Sequence, residues 1–445
     1  MQDLVPAASS QDSKHQNAEG VDGGSFHRMT SLSVALGILA TGVLVQAYSG
    51  SSTFESERLL KREVPGQAQI IDWKSFNVLP TVSPPSVANA TTFFFIPPGY
   101  DLQSLKEKPF HIYDDEFYDV IGPNPTLTLI ANAGTDPLFH EAATWYPPTD
   151  EMFFVQNAGA PAAGTGLNKS NVILKIALSE AAAVSNLRNA TGSVKVQTVD
   201  APAIINSNGG TNYRGQIVFA AEGQGDHATS QLIVMNPREP YNTTILLNNY
   251  FGRQFNSLND AAVNPRNKEL YFSDSLYGYL QDFRPEPGLR TQIYRYNPET
   301  GAVAAVADGF SVNNGLTFSP NGSHAYVTDT GVNQVVMGWN FSRPASIYRF
   351  DVQEDGTWDN RKLFAYVDTG APDGIHCDSK GNVYSGCGDG VQVWNPSGKL
   401  IGKIFLGETS ANFNFAGDGR MVILAEENLY YATLAASGGG YIGDV

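Results

Sequence analysis

Residues 314–329 read Asn314-Gly-Leu-Thr-Phe-Ser-Pro-Asn-Gly-Ser-His-Ala-Tyr-Val-Thr-Asp329. A β-favouring run breaks at Ser-Pro-Asn-Gly and resumes with an aromatic near its middle. Pro and Gly set turn dihedrals, while β-branched and aromatic residues suit a half-buried strand, so the stretch predicts a hairpin. The same plan recurs at 141–156, 259–274 and 373–387. A weaker copy runs from Ala411 through Gly419 to Leu424, and a fainter one ends in 216–221. Further strand-like runs, at 291–296 and 346–350, are followed by the turns 298–301 and 354–356. Each repeat then holds about four strands in about 40 to 60 residues. Six such repeats predict an all-β fold, a six-bladed β-propeller with four-stranded antiparallel blades. Residues 110–131 read as two strands and are expected to pair with 429–434, closing the ring. Helical periodicity is confined to 179–187.

Composition agrees. Among 445 residues there are 44 Gly and 25 Pro, which suits many short strands and turns. A nucleic-acid partner would want a basic face, so a formal net charge of −16 argues against one. The sequence has no Gly-x-Ser-x-Gly elbow, no His-Glu-x-x-His helix and no phosphate loop. Its two cysteines, Cys377 and Cys387, fall on facing strands of one hairpin, about 13 Å apart at ~3.3 Å per residue. A disulfide needs Cα atoms within about 7 Å, so both are expected to be free and buried.

Counting back six residues from each turn gives Glu141 from Pro147, Asn259 from Pro265, Asn314 from Pro320 and Asp373 from Ser379. Side chains alternate along a strand, so each shares a face with Ala143 and Trp145, Ala261 and Val263, Leu316 and Phe318, or Ile375 and Cys377. In a propeller the inner strands line the central channel. The polar first positions would therefore meet as a ring of oxygen donors at one mouth, suited to a hard divalent cation. Asn and Asp also cap turns, but Glu141 has no such reason to be there. In the weaker unit the count lands on Ala411, which would leave one side open for substrate. Alternation turns His376 away from the channel, into packing. It does the same to His140 unless the strand starts at Glu141. Asp274 and Asp329 read as structural.

The N-terminus is different in kind. Residues 1–28 are polar and rich in Gly, Ser and Gln, as a disordered leader would be. Leu32 to Val45 is an apolar run of 14 residues followed by small residues, so 29–48 reads as a signal peptide or signal anchor. Residues 49–94 are expected to be a linker and 95–445 the propeller. Six Asn-x-Ser/Thr sequons, at Asn89, Asn168, Asn189, Asn242, Asn321 and Asn340, agree with a secreted glycoprotein. Membrane attachment is expected only if the N-terminal segment is retained.

Phe255-Asn-Ser-Leu-Asn-Asp260, Tyr271-Phe-Ser-Asp-Ser-Leu-Tyr-Gly278, Asn314-Gly-Leu-Thr-Phe-Ser-Pro-Asn-Gly322 and Pro372-Asp-Gly-Ile-His-Cys-Asp378 carry a family resemblance. Over residues 95–435 the chain resembles the gluconolactonase and regucalcin (SMP-30-like) superfamily, and most of all its gluconolactonase-type lactone hydrolases. The resemblance implies one divalent metal held by Glu141, Asn314 and Asp373, with Asn259 contacting substrate. Calcium is the first expectation, with zinc and magnesium as alternatives. It also implies a lactone substrate, gluconolactone or a related aldonolactone, whose carbonyl the metal polarises while Asp373 acts as base. Regucalcin-like members carry Arg where this chain has Ser257. The competing readings are a non-catalytic secreted propeller that binds a partner, and a strictosidine-synthase-like propeller with an apolar channel.

Overall fold

The computed structural model describes residues 62–82, 95–186 and 194–440. The β-favouring runs form β1 (Ala68–Ile70), β2 (Phe110–Ile112) and β3 (Thr126–Asn132), followed by six blades in chain order. Blade 1 holds β4 (Glu141–Tyr146), β5 (Glu151–Val155), β6 (Ile173–Ala177) and β7 (Gln197–Val199). Blade 2 holds β8 (Ser207–Tyr213), β9 (Gln216–Ala221), β10 (Gln231–Met235) and β11 (Thr243–Leu247). Blade 3 holds β12 (Leu258–Val263), β13 (Leu270–Asp274), β14 (Gln292–Tyr296) and β15 (Val303–Ala307). Blade 4 holds β16 (Asn313–Phe318), β17 (His324–Asp329), β18 (Ser346–Val352) and β19 (Trp358–Tyr366). Blade 5 holds β20 (Ile375–Cys377), β21 (Val383–Cys387), β22 (Gly390–Trp394) and β23 (Leu400–Phe405). Blade 6 holds β24 (Asn412–Phe415), β25 (Asp418–Ala425) and β26 (Asn428–Ser437).

Each blade is an antiparallel meander, and neighbouring inner strands touch from β4 around to β24 and back to β4. The fold is therefore the six-bladed propeller that the repeats predict. Its ring closes where β3 pairs antiparallel with β26, as expected, setting Leu127 opposite Ala432. The rest of that expectation is corrected. β2 joins β23 on the outer edge of blade 5, and β1 lies parallel to β2, so this sheet has six strands. The expected linker 49–94 therefore contains part of the propeller body. Ala68 and Ile71, each 1% exposed, cover that sheet edge with apolar surface. The helical stretch appears as Leu178–Ser185. The leader 1–28 and the signal segment 29–48 lie outside the described residues, and no helix among those described is long and apolar enough to cross a membrane.

The core is a set of apolar seams between adjacent blades rather than one central mass. Phe153 and Val155 meet Ile217 and Phe219 between blades 1 and 2. Ile130, Leu424 and Leu429 meet Phe139 and Phe154 between blades 6 and 1. Cys377 and Cys387 are both free and buried in the seam between blades 4 and 5, as expected.

The inner strands are not regular. Their ladders slip near the start, between Glu141 and Thr144, Ser207 and Gly210, Leu258 and Ala261, and Asn313 and Leu316. Each slip is a bulge, and the extra residue reverses which face later side chains occupy. Past it, residues of both registers reach the channel, and the expected Trp145 does line it. Ala261 and Val263, Leu316 and Phe318, and Ile375 and Cys377 belong to the seams. Of these, Ala261, Val263, Leu316, Phe318 and Cys377 also border the channel cavity, together with Trp145, Ala262, Thr317, His376 and Asn414. Asp274 and Asp329 are structural, as expected. Asp274 accepts the N–H of Ser257 at 3.0 Å, and Asp329 those of Ser311 and Val312 at 2.9 Å.

Ile130, fully buried on the ring-closing β3, tests the seam. Ile130→Ala is expected to cost about 2–5 kcal/mol in urea unfolding. Phe251→Ala, at a side chain 87% exposed, is expected to change stability by less than about 0.5 kcal/mol.

Candidate active site at the channel mouth

The structure brings Glu141, Asn314 and Asp373 together. The side chains of Glu141 and Asn314 both approach that of Asp373, and Asn314 in turn approaches Tyr277. Tyr277 then meets the Thr330 hydroxyl. Glu141 and Asn314 are 3% exposed, while Asp373 is only partly buried and so faces the opening. Asn259 is buried on β12 at 2% exposure. It occupies the same station as Asn314, but no side-chain hydrogen bond joins it to the other three among the described residues.

The six-residue count hides a difference in register. Asn259, Asn314 and Asp373 each stand four residues before the last paired residue of their inner strand, namely Val263, Phe318 and Cys377. Glu141 stands five before Tyr146, because the loop 147–150 is shorter than the loop 264–269. Ala142 takes up the difference with a left-handed φ of 55°. At the matching station of blade 6 stands Ala411, as expected. The side is not left open, because Asn412, one residue on, reaches across and donates to Glu141 Oε2 at 2.5 Å.

Burial, and after it the charge of Asp373, pushes the Glu141 carboxyl well above the usual range. Burial also raises Asp373, against the opposing charge of His140. A third carboxylate, Asp260, lies one residue past Asn259 and accepts the N–H of Ala261 at 2.8 Å and of Leu316 at 2.9 Å. Burial raises it to about 7 in spite of those bonds.

His140 belongs to this site, since β4 does begin at Glu141. Its Nδ1 lies 2.8 Å from Glu426 Oε1, and Asn157 Nδ2 reaches Glu426 Oε2 at 3.3 Å. Burial works against the imidazolium, but Glu426 outweighs it and carries His140 up to about 9. Glu426 sits at the β25–β26 turn, and nothing in the sequence motifs signals it. His376 corrects the packing expectation. Its ring lies on the channel wall against Asn412 and meets Phe413 edge-on at 5.2 Å. Burial holds its pKa down at about 4. The wall there encloses a cavity of about 130 Å³ toward the opposite mouth.

The donors fit a hard cation. Two carboxylates, with a carboxamide beside them, offer three oxygen ligands and no sulfur. Among the described residues no cluster of three His, Cys, Asp or Glu could hold a metal ion.

The profile of the SMP-30/Gluconolactonase/LRE-like region matches residues 180–425, more than half of the sequence. The chain belongs to this family. Asn259, Asn314 and Asp373 fall inside the match and Glu141 outside it, so Glu141 rests on the geometry. Among similar proteins is lactonohydrolase oryL of Aspergillus oryzae (strain ATCC 42149 / RIB 40), 28% identical over 320 residues, which cover 67% of each chain. Lactonohydrolase oryH of the same organism is 24% identical over 76% of this chain and 80% of its own. The solved gluconolactonase XC5397 from Xanthomonas campestris superposes with a TM-score of 0.56 at 22% identity, covering 73% of this chain and 95% of that one. This last likeness concerns the fold alone.

Asp373→Asn is expected to lower the Glu141 pKa in metal-free protein, because it removes a like charge while leaving burial in place. Carboxyl carbon-13 NMR reads this directly, and an unmoved Glu141 resonance would mean the two groups are not in contact.

Proposed function

We propose that the protein hydrolyses an aldonolactone of the gluconolactone type at this mouth, with a divalent cation, calcium first, held by Glu141, Asn314 and Asp373. The observation that carries the reading is the Glu141–Asp373–Asn314 contact at the mouth of the channel. The names of the relatives, lactonohydrolase among them, support the reaction class. When bound, the cation supplies positive charge that polarises the lactone carbonyl. Water adds to that carbonyl, the ring C–O bond breaks and the ring oxygen gains a proton, giving the hydroxy acid. Asp373, the least buried member of the trio, takes the proton from the attacking water. Asn259 hydrogen-bonds substrate hydroxyls from β12. His140, fixed by Glu426, offsets the carboxylate charge around the mouth. The oxygen-lined mouth favours this reading over an apolar, strictosidine-synthase-like channel or a partner-binding propeller.

We also propose that the chain follows the secretory route and is glycosylated. The exposure of Asn168, Asn242, Asn321 and Asn340 supports this, and a mass shift on enzymatic deglycosylation of the secreted protein tests it.

Hydrolysis of a panel of neutral sugar lactones, followed by pH-stat, tests the reaction. Chelator is expected to abolish turnover and added calcium to restore it. Asp373→Ala is expected to lower kcat by about 10²–10⁴-fold, the usual worth of a positioned base. Asn259→Ala is expected to act mainly on KM. Full activity of Asp373→Ala would remove Asp373 from its role, and full activity in chelator would remove the cation.

A further inference from the structure

Glu141 and Asp373 come from blades 1 and 5, yet their side chains touch. Blade 6 lies between those blades in the ring, so its inner strand β24 has to leave room for the contact and also keep the two groups in register. Asn412, the first residue of β24 and 4% exposed, stands at that point. Its Nδ2 donates to Glu141 Oε2 at 2.5 Å, and its Oδ1 accepts the N–H of Phe413 at 2.7 Å. The carboxamide is thus held at both ends and cannot flip without losing both bonds. Its other side presses on the backbone beside Asp373. A Cβ added to Gly374 would fall 2.5 Å from Asn412 Cγ, and the Gly374 N–H bonds to Ala411 O at 2.8 Å.

The Ala142 N–H also reaches Glu141 Oε2, at 3.3 Å. Two donors therefore converge on one carboxylate oxygen, and Oε1 is the oxygen that neither of them engages. We propose that Asn412 is a positioning residue for the reaction. It pins Oε2 of Glu141, spaces Glu141 from the strand that carries Asp373, and so presents Oε1 as the ligand oxygen for the divalent cation. This inference rests on the functional reading above. It adds a residue that touches neither cation nor substrate and acts through Glu141. Partners of this kind commonly change metal affinity by about 10–100-fold when removed.

The test is a double-mutant cycle on the full chain, read by calorimetric titration with calcium chloride alone and by turnover of δ-gluconolactone. Asn412→Leu keeps the volume and removes both hydrogen bonds along with the polar contact to His376, and Asn412→Ala is the second variant; thermal unfolding of each shows that the fold is retained. Each is expected to weaken calcium about tenfold and to lower turnover at subsaturating calcium. Saturating calcium should restore most of that turnover, which a loss of packing would not do. Glu141→Gln should weaken calcium at least as much, and Asn412→Leu should add nothing in its background. Unchanged calcium affinity in both folded Asn412 variants, or losses that add in the double mutant, would overturn the proposal. A wild-type chain inactive on every lactone tried would overturn the functional reading instead. In that case the same non-additive calcium losses would still support the hold of Asn412 on Glu141.

Discussion

Glu141 is a buried carboxyl group and Asp373 a partly buried one beside it, an arrangement that water would separate and that ionisation opposes. They persist because each is fixed from behind. Asn412 and the Ala142 N–H hold one, and Asn314 holds the other. The positive charge of His140, itself held by Glu426, lies close to both. The contact spans blades 1 and 5, so it depends on the ring being closed between them. That closure is made by β3, drawn from the start of the propeller into blade 6 beside β26. Chemistry at the mouth and stability of the ring are thus coupled through one blade.

The bulges are the second device. A regular inner strand would send every other side chain into the channel, so polar residues at the mouth would imply a polar wall beneath them. The extra residue near the start of the strand breaks that link. Asn259 and Asn314 can sit at the mouth while Val263 and Phe318 pack between blades. The close ring also limits size at the layer below. A Cβ at Gly315 would lie 2.6 Å from Asp373 O, and one at Gly374 would meet Asn412, so those stations take no side chain.

Much of this was legible in the sequence. The hairpin repeats gave the propeller, and the spacing from each turn picked out three residues that do converge. What escaped followed from register. Nothing in residue type announces a bulge, so Ala262 and Thr317 on the channel wall were not foreseen, and His376 was turned the wrong way. Glu141 reached the right place through a shorter hairpin and a left-handed Ala142, two differences that cancel in a simple count. Blade 2 was faint because β8 begins Ser207-Asn-Gly-Gly210, with almost no apolar pattern. At Gly209 a Cβ would fall 2.6 Å from Asn259 O. Glu426 and Asn412 lie far from Glu141 in sequence, and only ring closure brings them to it.

A calcium-soaked crystal of the wild-type chain, with anomalous scattering to locate the ion, addresses the centre of the site. One ion is expected about 2.3–2.6 Å from oxygens of Glu141, Asn314 and Asp373, the normal range for calcium. A chain that turns over lactone in the crystal while its ion sits elsewhere, with Glu141 and Asp373 still beside each other, would contradict the assignment.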